Sequence, residues 1–235
     1  KYSIDGKNWK DDCPAVESVA DAANTSVYIQ ISKENYTPWT SKPQNATISP
    51  KGISDSDIQI TPYSGIYDGS HHKVISSVTG CPDGCTIKYS IDGKNWKDDC
   101  PTVESVADAK KTNVWIKISK DNYATKIYGS IQATINPASE APGYPSTAKI
   151  SVPWSCKKVN EVAANLLPAN WKWQTEDAAK DLQVGNNSVT AVYTGKDKGN
   201  YERETVTYTI IRSECEHKHT AGRYYSSPSC TSSGY

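Results

Sequence analysis

Fourteen residues, KYSIDGKNWKDDCP, occur twice, at 1–14 and at 88–101, identical at every position. The interval from Lys1 to Lys88 sets a repeat period of 87 residues. A fixed internal period marks a chain built from small stacked units rather than one large core. It also places the start of this chain in the middle of a unit, so the sequence reads as a piece of a longer polypeptide. Only the second copy can be read whole.

Which class of unit is set by the apolar residues. Phe and Met are absent, and Leu occurs only at Leu166, Leu167 and Leu182. Val, Ile, Tyr, Trp and Thr carry the load instead, and β-branched and aromatic side chains fit a pleated, half-buried surface. The straight-chain helix formers are the ones missing. The expectation is an all-β protein of thin β-sandwich modules in tandem, for which an apolar share of 36% suffices.

Along the second copy, residues 73–78 read as a strand and CPDGC at 81–85 as a tight loop. Residues 86–91 form the next strand, and Asp92-Gly93 supplies a hairpin signal, with residues 95–99 returning. That register sets Cys85 opposite Cys100, so a Cys85–Cys100 disulfide is the first expectation. Cys81–Cys100 is second, and a short Cys81–Cys85 loop is a further possibility. Residues 113–120 alternate, with Val114, Ile116 and Ile118 on the core face and Trp115, Lys117 and Ser119 opposite. The first copy repeats the inward set as Val27, Ile29 and Ile31 and changes the outward one. Tyr36 and Tyr123 follow polar turns (KENY, KDNY) and are expected to cover the core at a strand end.

The boundaries follow. Residues 1–50 are an incomplete module without a counterpart to 66–87, so its missing strands, and the partner of Cys13, are expected before Lys1. Residues 58–137 are a complete module, and 138–146 a linker whose Pro, Ala and Ser content predicts an extended, semi-stiff segment. Residues 147–213 are a third module with strands near 148–152, 188–194 and 204–211, and a core corner at LLPANWKW. Residues 214–235 are a Cys/His-containing tail. Cys156, by the first strand, and Cys215, past the last, form a second expected disulfide.

The motifs IYDGSHHKV, TIKYSIDGKNW, VWIKISKDNY and ATI resemble the immunoglobulin-like repeats of large bacterial cell-surface and adhesin-type proteins. LPANWKW and VGNNSVTAVYTGKDKGNYERETVTYTI are similar to an Ig-like module that often closes such arrays, and CEHKHT…SCTSSGY to a segment that commonly follows it. The resemblance covers nearly the whole chain and implies tandem Ig-like modules in an extracellular or cell-surface stalk, adhesin or filament. Its partners would be neighbouring repeats, other copies of itself, or a host or glycan ligand. Such repeats usually lack cysteine, whereas the second copy carries Cys81, Cys85 and Cys100. That departure implies covalent reinforcement.

Seven cysteines, none in a CxxC pair, read as disulfide partners in an oxidising compartment. Cys13, Cys81 and Cys230 are the candidates to stay unpaired or to bridge between molecules. Cys215, His217, His219 and Cys230 offer zinc-type ligands, but the spacing completes no site, and a disulfide with solvated histidines is the plainer reading. His71 and His72 read as surface residues. Trp39 and Trp115 are candidates to stack on a sugar, while Trp9, Trp96, Trp171 and Trp173 read as core filler in place of Phe. Asn24, Asn35, Asn45 and Asn186 sit in glycosylation sequons.

Basic and acidic residues balance at 26 each, which gives no clustered positive field for a nucleic acid. No stretch is apolar for the roughly 20 residues a membrane span needs. The paired carboxylates Asp11-Asp12, Asp98-Asp99 and Asp55/Asp57 lie in turn-like contexts, and there is no Walker loop, G-x-S-x-G or HExxH. The expected function is non-enzymatic and cofactor-free: a structural or adhesive repeat segment. A carbohydrate-binding accessory region of a secreted glycan-active enzyme is the alternative.

Overall fold

The computed structural model describes residues 1–215. Strands take up 39% of the described residues and helices 10%, so the protein is predominantly β. The sheets are small, of two to four strands each. The chain divides into two units. One holds Lys1–Tyr63, His71–Val103 and Ala109–Thr134; the other holds Ser64–Ser70, Glu104–Asp108 and everything described from Ile135 onward.

In the first unit both copies build the same hairpin. Tyr2 bridges Lys10 and Tyr89 bridges Lys97, and the intervening turn is held by one carboxylate. Asp92 Oδ1 accepts from the Lys94 and Asn95 backbone N–H groups, each at 2.8 Å, and from the Ser90 hydroxyl at 2.7 Å. The Asn95 side-chain amide donates to Asp92 Oδ2 at 2.6 Å. Asp5 repeats the cage with Ser3, Lys7 and Asn8. Expected as a hairpin centred on Asp92-Gly93, the turn is a wider loop, because an aspartate that accepts several local donors competes with tight pairing.

The strand after each turn diverges in environment. Val114–Ser119 pairs with Thr86–Ser90 on one side and Lys126–Ile131 on the other. Its Val114, Ile116 and Ile118 are fully buried, as the alternation predicts. Val74 and Ile75, on the segment for which the first copy has no counterpart, are buried too. In the first copy Ser26–Ile31 pairs with Tyr2–Ser3, Trp39–Thr40 and Gln44–Asn45. There Val27 and Ile29 are only half-buried and Ile31 is 62% exposed.

In the second unit a four-stranded sheet runs in the order Lys149–Val152, Thr205–Arg212, Gly185–Tyr193, Trp171–Trp173. The first pair is parallel and the other two antiparallel. Three of these match the strands that the sequence predicts near 148–152, 188–194 and 204–211; Trp171–Trp173 falls in the segment expected as a core corner and is a strand as well. Ile150, Val159, Leu167, Trp171, Leu182, Val189, Tyr208 and Ile210 are among the residues that close the core. The Trp171 indole donates to the Pro142 carbonyl at 2.9 Å, which ties the LLPANWKW corner down. Trp173 Nε1 is buried without a partner.

The segment expected as a linker is part of this fold. Ala138–Glu140 pairs in parallel with Tyr201–Arg203, Ala141 is buried, and Tyr144 sits edge-on to Trp171 at 5.8 Å. Proline and alanine content described its stiffness, but its backbone hydrogen bonds go to a strand rather than to water.

Candidate functional site

The feature that recurs, and that chemistry can be read from, is a loop carrying Asn-Tyr. In the first unit the loop is Asn122-Tyr123. Asn122 has φ 63°, a left-handed conformation that asparagine tolerates better than most residues. Tyr123 N–H closes the turn on the Lys120 carbonyl at 3.1 Å. Asn122 Oδ1 then accepts the Val19 backbone N–H at 2.8 Å. Val19 opens the six-residue helix Val19–Asn24, whose Ser18 caps Asp21 N–H at 3.0 Å. A first-turn N–H has no partner within its own helix, so the asparagine fills a real vacancy. The Asn122 carbonyl accepts from Lys51 N–H at 2.8 Å, Ala124 N–H returns to the Lys51 carbonyl at 2.9 Å, and Lys51 pairs in parallel with Tyr123.

The second unit makes the same joint from Asn200-Tyr201. Asn200 Oδ1 accepts the Val106 N–H at 2.8 Å. Val106 opens the equivalent helix, Val106–Lys111, and Ser105 caps Asp108 N–H at 3.1 Å. The Asn200 carbonyl accepts from Ala138 N–H at 2.9 Å, and Ala138 pairs in parallel with Tyr201. Val19 and Val106, and likewise Lys51 and Ala138, are one period of 87 apart. Each joint therefore takes a helix start and an outgoing strand from equivalent positions of a repeat and seats both on one asparagine.

The second joint is the more enclosed. Asn200 is buried, its amide donating to the Asp197 carbonyl at 2.9 Å. The Tyr193 hydroxyl donates to Asp197 at 2.6 Å, and the Tyr201 hydroxyl donates to the same carboxylate. Burial acts to raise the Asp197 carboxyl, but the two phenol donors outweigh it and hold it below the ordinary value. In return the hydrogen bond to Asp197 pushes the Tyr193 phenol up to about 12. Burial, then Asp197, pushes Tyr201 higher still. Tyr201 also meets Tyr67 edge-on at 5.5 Å and Tyr193 at 5.8 Å. The result is a neutral-phenol, charged-carboxylate cluster that positions the loop and offers no group near neutral pH for proton transfer.

Sequence reasoning singled out KENY and KDNY as core covers and passed over KGNY at 198–201. Tyr123 is half-buried, but Tyr36 is 69% exposed. The clue was the third Asn-Tyr pair, hidden because it falls 78 rather than 87 residues after the second.

The expected disulfides are not formed: among the described residues no two sulfurs stand at bonding distance. Beyond the Tyr89–Lys97 bridge the chain leaves its partner strand, and Thr102–Val103 pairs with His72–Lys73 instead. Cys100 is thereby buried, its Sγ accepting Ile75 N–H at 3.4 Å. Cys85 stays beside Cys81, and burial together with that neighbour pushes the Cys81 thiol up to about 11. Cys156 turns inward, its thiol on the Lys158 carbonyl at 3.7 Å. Arg212 spans from the Trp154 carbonyl to the Leu182 carbonyl at the end of the last strand, beyond which Cys215 lies. Cys13 is exposed.

Of the two stacking candidates, Trp39 presents 57% of its surface. Trp115 is covered by its own chain. A Cβ on Gly93 would stand 3.8 Å from the indole, and one on Gly129 would collide with it at 2.3 Å. The four sequon asparagines Asn24, Asn35, Asn45 and Asn186 are exposed. His72 stacks on Tyr63 at 4.1 Å rather than standing clear on the surface. Among the described residues no cluster of three His, Cys, Asp or Glu could hold a metal. His217, His219 and Cys230 lie outside the described residues. No helix among them is long and apolar enough to cross a membrane.

No protein-family model and no curated protein sequence matches this chain.

Proposed function

We propose that this chain is a non-enzymatic segment of an extracellular or cell-surface stalk or filament, made of tandem Ig-like sandwich modules that join end to end. The observation that carries this reading is the joint made twice from the same repeat positions, Val19 with Lys51 on Asn122 and Val106 with Ala138 on Asn200. Its hydrogen bonds are backbone-directed, and at Asn200 the tyrosine hydroxyls are tied to Asp197, which is the chemistry of a connector. The resemblance to surface-protein repeats points the same way. Filament growth is the stronger form of the proposal, supported by the exposed Ile31 face and the exposed Cys13. Head-to-tail contacts between unlike faces extend without closing.

The test is oligomeric state by light scattering with and without reductant. Concentration-dependent assembly that reductant reverses is expected for the filament form. A monodisperse monomer under both conditions removes the filament and leaves the stalk, which surface labelling of intact cells then checks.

A carbohydrate-binding accessory role is the second reading, favoured by the exposure of Trp39. It requires glycan binding that is lost in Trp39→Ala and kept in Trp115→Ala, whose indole is already covered.

A further inference from the structure

The first copy carries the same loop as the Asn122 joint, but among the described residues nothing is seated on it. Tyr36 N–H closes on the Lys33 carbonyl at 3.1 Å, as Tyr123 closes on Lys120. Asn35 has φ 63°, the value found at Asn122. Lys33 stands 5.3 Å over the Tyr36 ring, as Lys120 stands 5.1 Å over Tyr123. At Tyr123 a second cation, Lys51 of the seated strand, covers the ring at 5.5 Å; Tyr36 has no counterpart to it and is 69% exposed. Among the described residues neither the side-chain oxygen nor the carbonyl of Asn35 receives a hydrogen bond.

From this identity we infer that Asn35-Tyr36 is a docking face for one further repeat of the same type. This rests on the connector reading above and names its partner. The partner presents two backbone features: the first N–H of a Ser-capped short helix, which goes to Asn35 Oδ1, and an outgoing extended residue, whose N–H goes to the Asn35 carbonyl while its chain lies parallel to Tyr36. Among the described residues both helix starts of this type are already engaged, Val19 by Asn122 and Val106 by Asn200. The occupant is therefore another repeat whose helix start is still unseated. Recognition is backbone-directed, so the partner need share the fold and the serine cap, not the surface sequence. Asn35 also lies in a sequon, and a glycan on its side-chain nitrogen would stand on the face that the helix start has to reach, so docking and glycosylation exclude each other.

The decisive experiment places a duplicate of residues 1–87 directly ahead of Lys1 of the full chain. The duplicate supplies an unseated Val19 and Lys51 at the period the joint requires. Amide hydrogen exchange is then read at those two duplicated residues. Protection in the extended chain is expected. It should fall about tenfold, the scale of one lost hydrogen bond, in Asn35→Ala, and persist in Asn35→Asp, which keeps the acceptor. Asn122→Ala, read at the original Val19, calibrates the loss. Protection that is unchanged by dilution assigns the docking to one polypeptide; protection that disappears on dilution assigns it to a contact between chains. Protection that ignores Asn35→Ala, or no protection while the Asn122 joint remains intact, overturns the inference. So does a glycan found on Asn35 by mass spectrometry of the protein from its source. None of these results depends on whether the whole is a filament, which light scattering decides separately.

Discussion

The two copies carry the same fourteen residues and meet different surroundings. Asp5 and Asp92 hold the same cage of donors at matching distances. Ser3 and Ser90, at the shoulder of each turn, are both 2% exposed. Yet Cys100 is buried where Cys13 is exposed, and Ile118 is sealed where Ile31 is 62% exposed. The turn is written locally and forms wherever those residues occur. The interior is written by residues 53–80, which only the second copy can draw on. Local hydrogen bonds copy faithfully; burial has to be supplied by distant chain.

Substitutions at equivalent positions put numbers on this contrast. The largest gap is expected at the isoleucines. Ile118→Ala should cost about 2–5 kcal/mol, the range for removing a buried branched side chain. Ile31→Ala should cost less than about 1 kcal/mol, as for an exposed position. Denaturant melts of the two variants should differ accordingly, and equal midpoints would mean that Ile31 is buried in solution by an unseen partner.

Next comes the aromatic under each turn. Gly129→Ala drives a methyl into the Trp115 indole and should destabilise by about 1–3 kcal/mol. Trp115→Tyr, which imports the first copy's Tyr28, should recover most of that loss. The double-mutant cycle fails this account if the two effects simply add.

A smaller effect is expected at the joints. Asn200→Ala removes a buried acceptor and should cost about 1–2 kcal/mol; Asn122→Ala, at an exposed site, should lie at the lower end of the about 0.5–2 kcal/mol range for lost helix caps. Asn35→Ala gives up only asparagine's tolerance of φ 63° and should cost less than Asn122→Ala, which loses the cap as well.

The smallest difference is expected in pH response, where the copies should agree. Hydrogen bonds from the backbone N–H of Asn8 and Asn95, first among several donors, hold Asp5 and Asp92 well below the ordinary value of 3.8. A depressed folded pKa gives stability that is present above the ordinary value and is lost as pH falls through the folded one. The Asn8 and Asn95 amide resonances should therefore stay put through pH 3.8 and move together only in stronger acid. Separate midpoints would show that the cage senses the core after all.

What was legible in the sequence follows the same division. Alternation located Val114–Ser119, because a half-buried strand imposes its period on its own residues, and the strands expected near 188–194 and 204–211 fall on Gly185–Tyr193 and Thr205–Arg212. The hairpins were legible from Asp-Gly, though the caging role of the aspartate widened them. Cysteine pairing was not, since it assumed that strand partners persist past Lys97, and the chain switches sheets there. The strand at Ala138–Glu140 was hidden behind a linker-like composition, because its partner is Tyr201–Arg203, more than sixty residues away. The joints were least visible. They use backbone groups that every residue has, and the one side chain that matters, asparagine, looks like an ordinary turn residue.

The joint at Asn122 also bears on how such a gene can change. Everything it needs, a serine-capped helix start, an outgoing residue and an Asn-Tyr loop, lies inside one repeat period. An unequal crossover within the identical fourteen-residue tract would add or delete a whole period and leave each surviving junction with its complement. The length of the array is then free to vary between generations without any new surface having to be evolved.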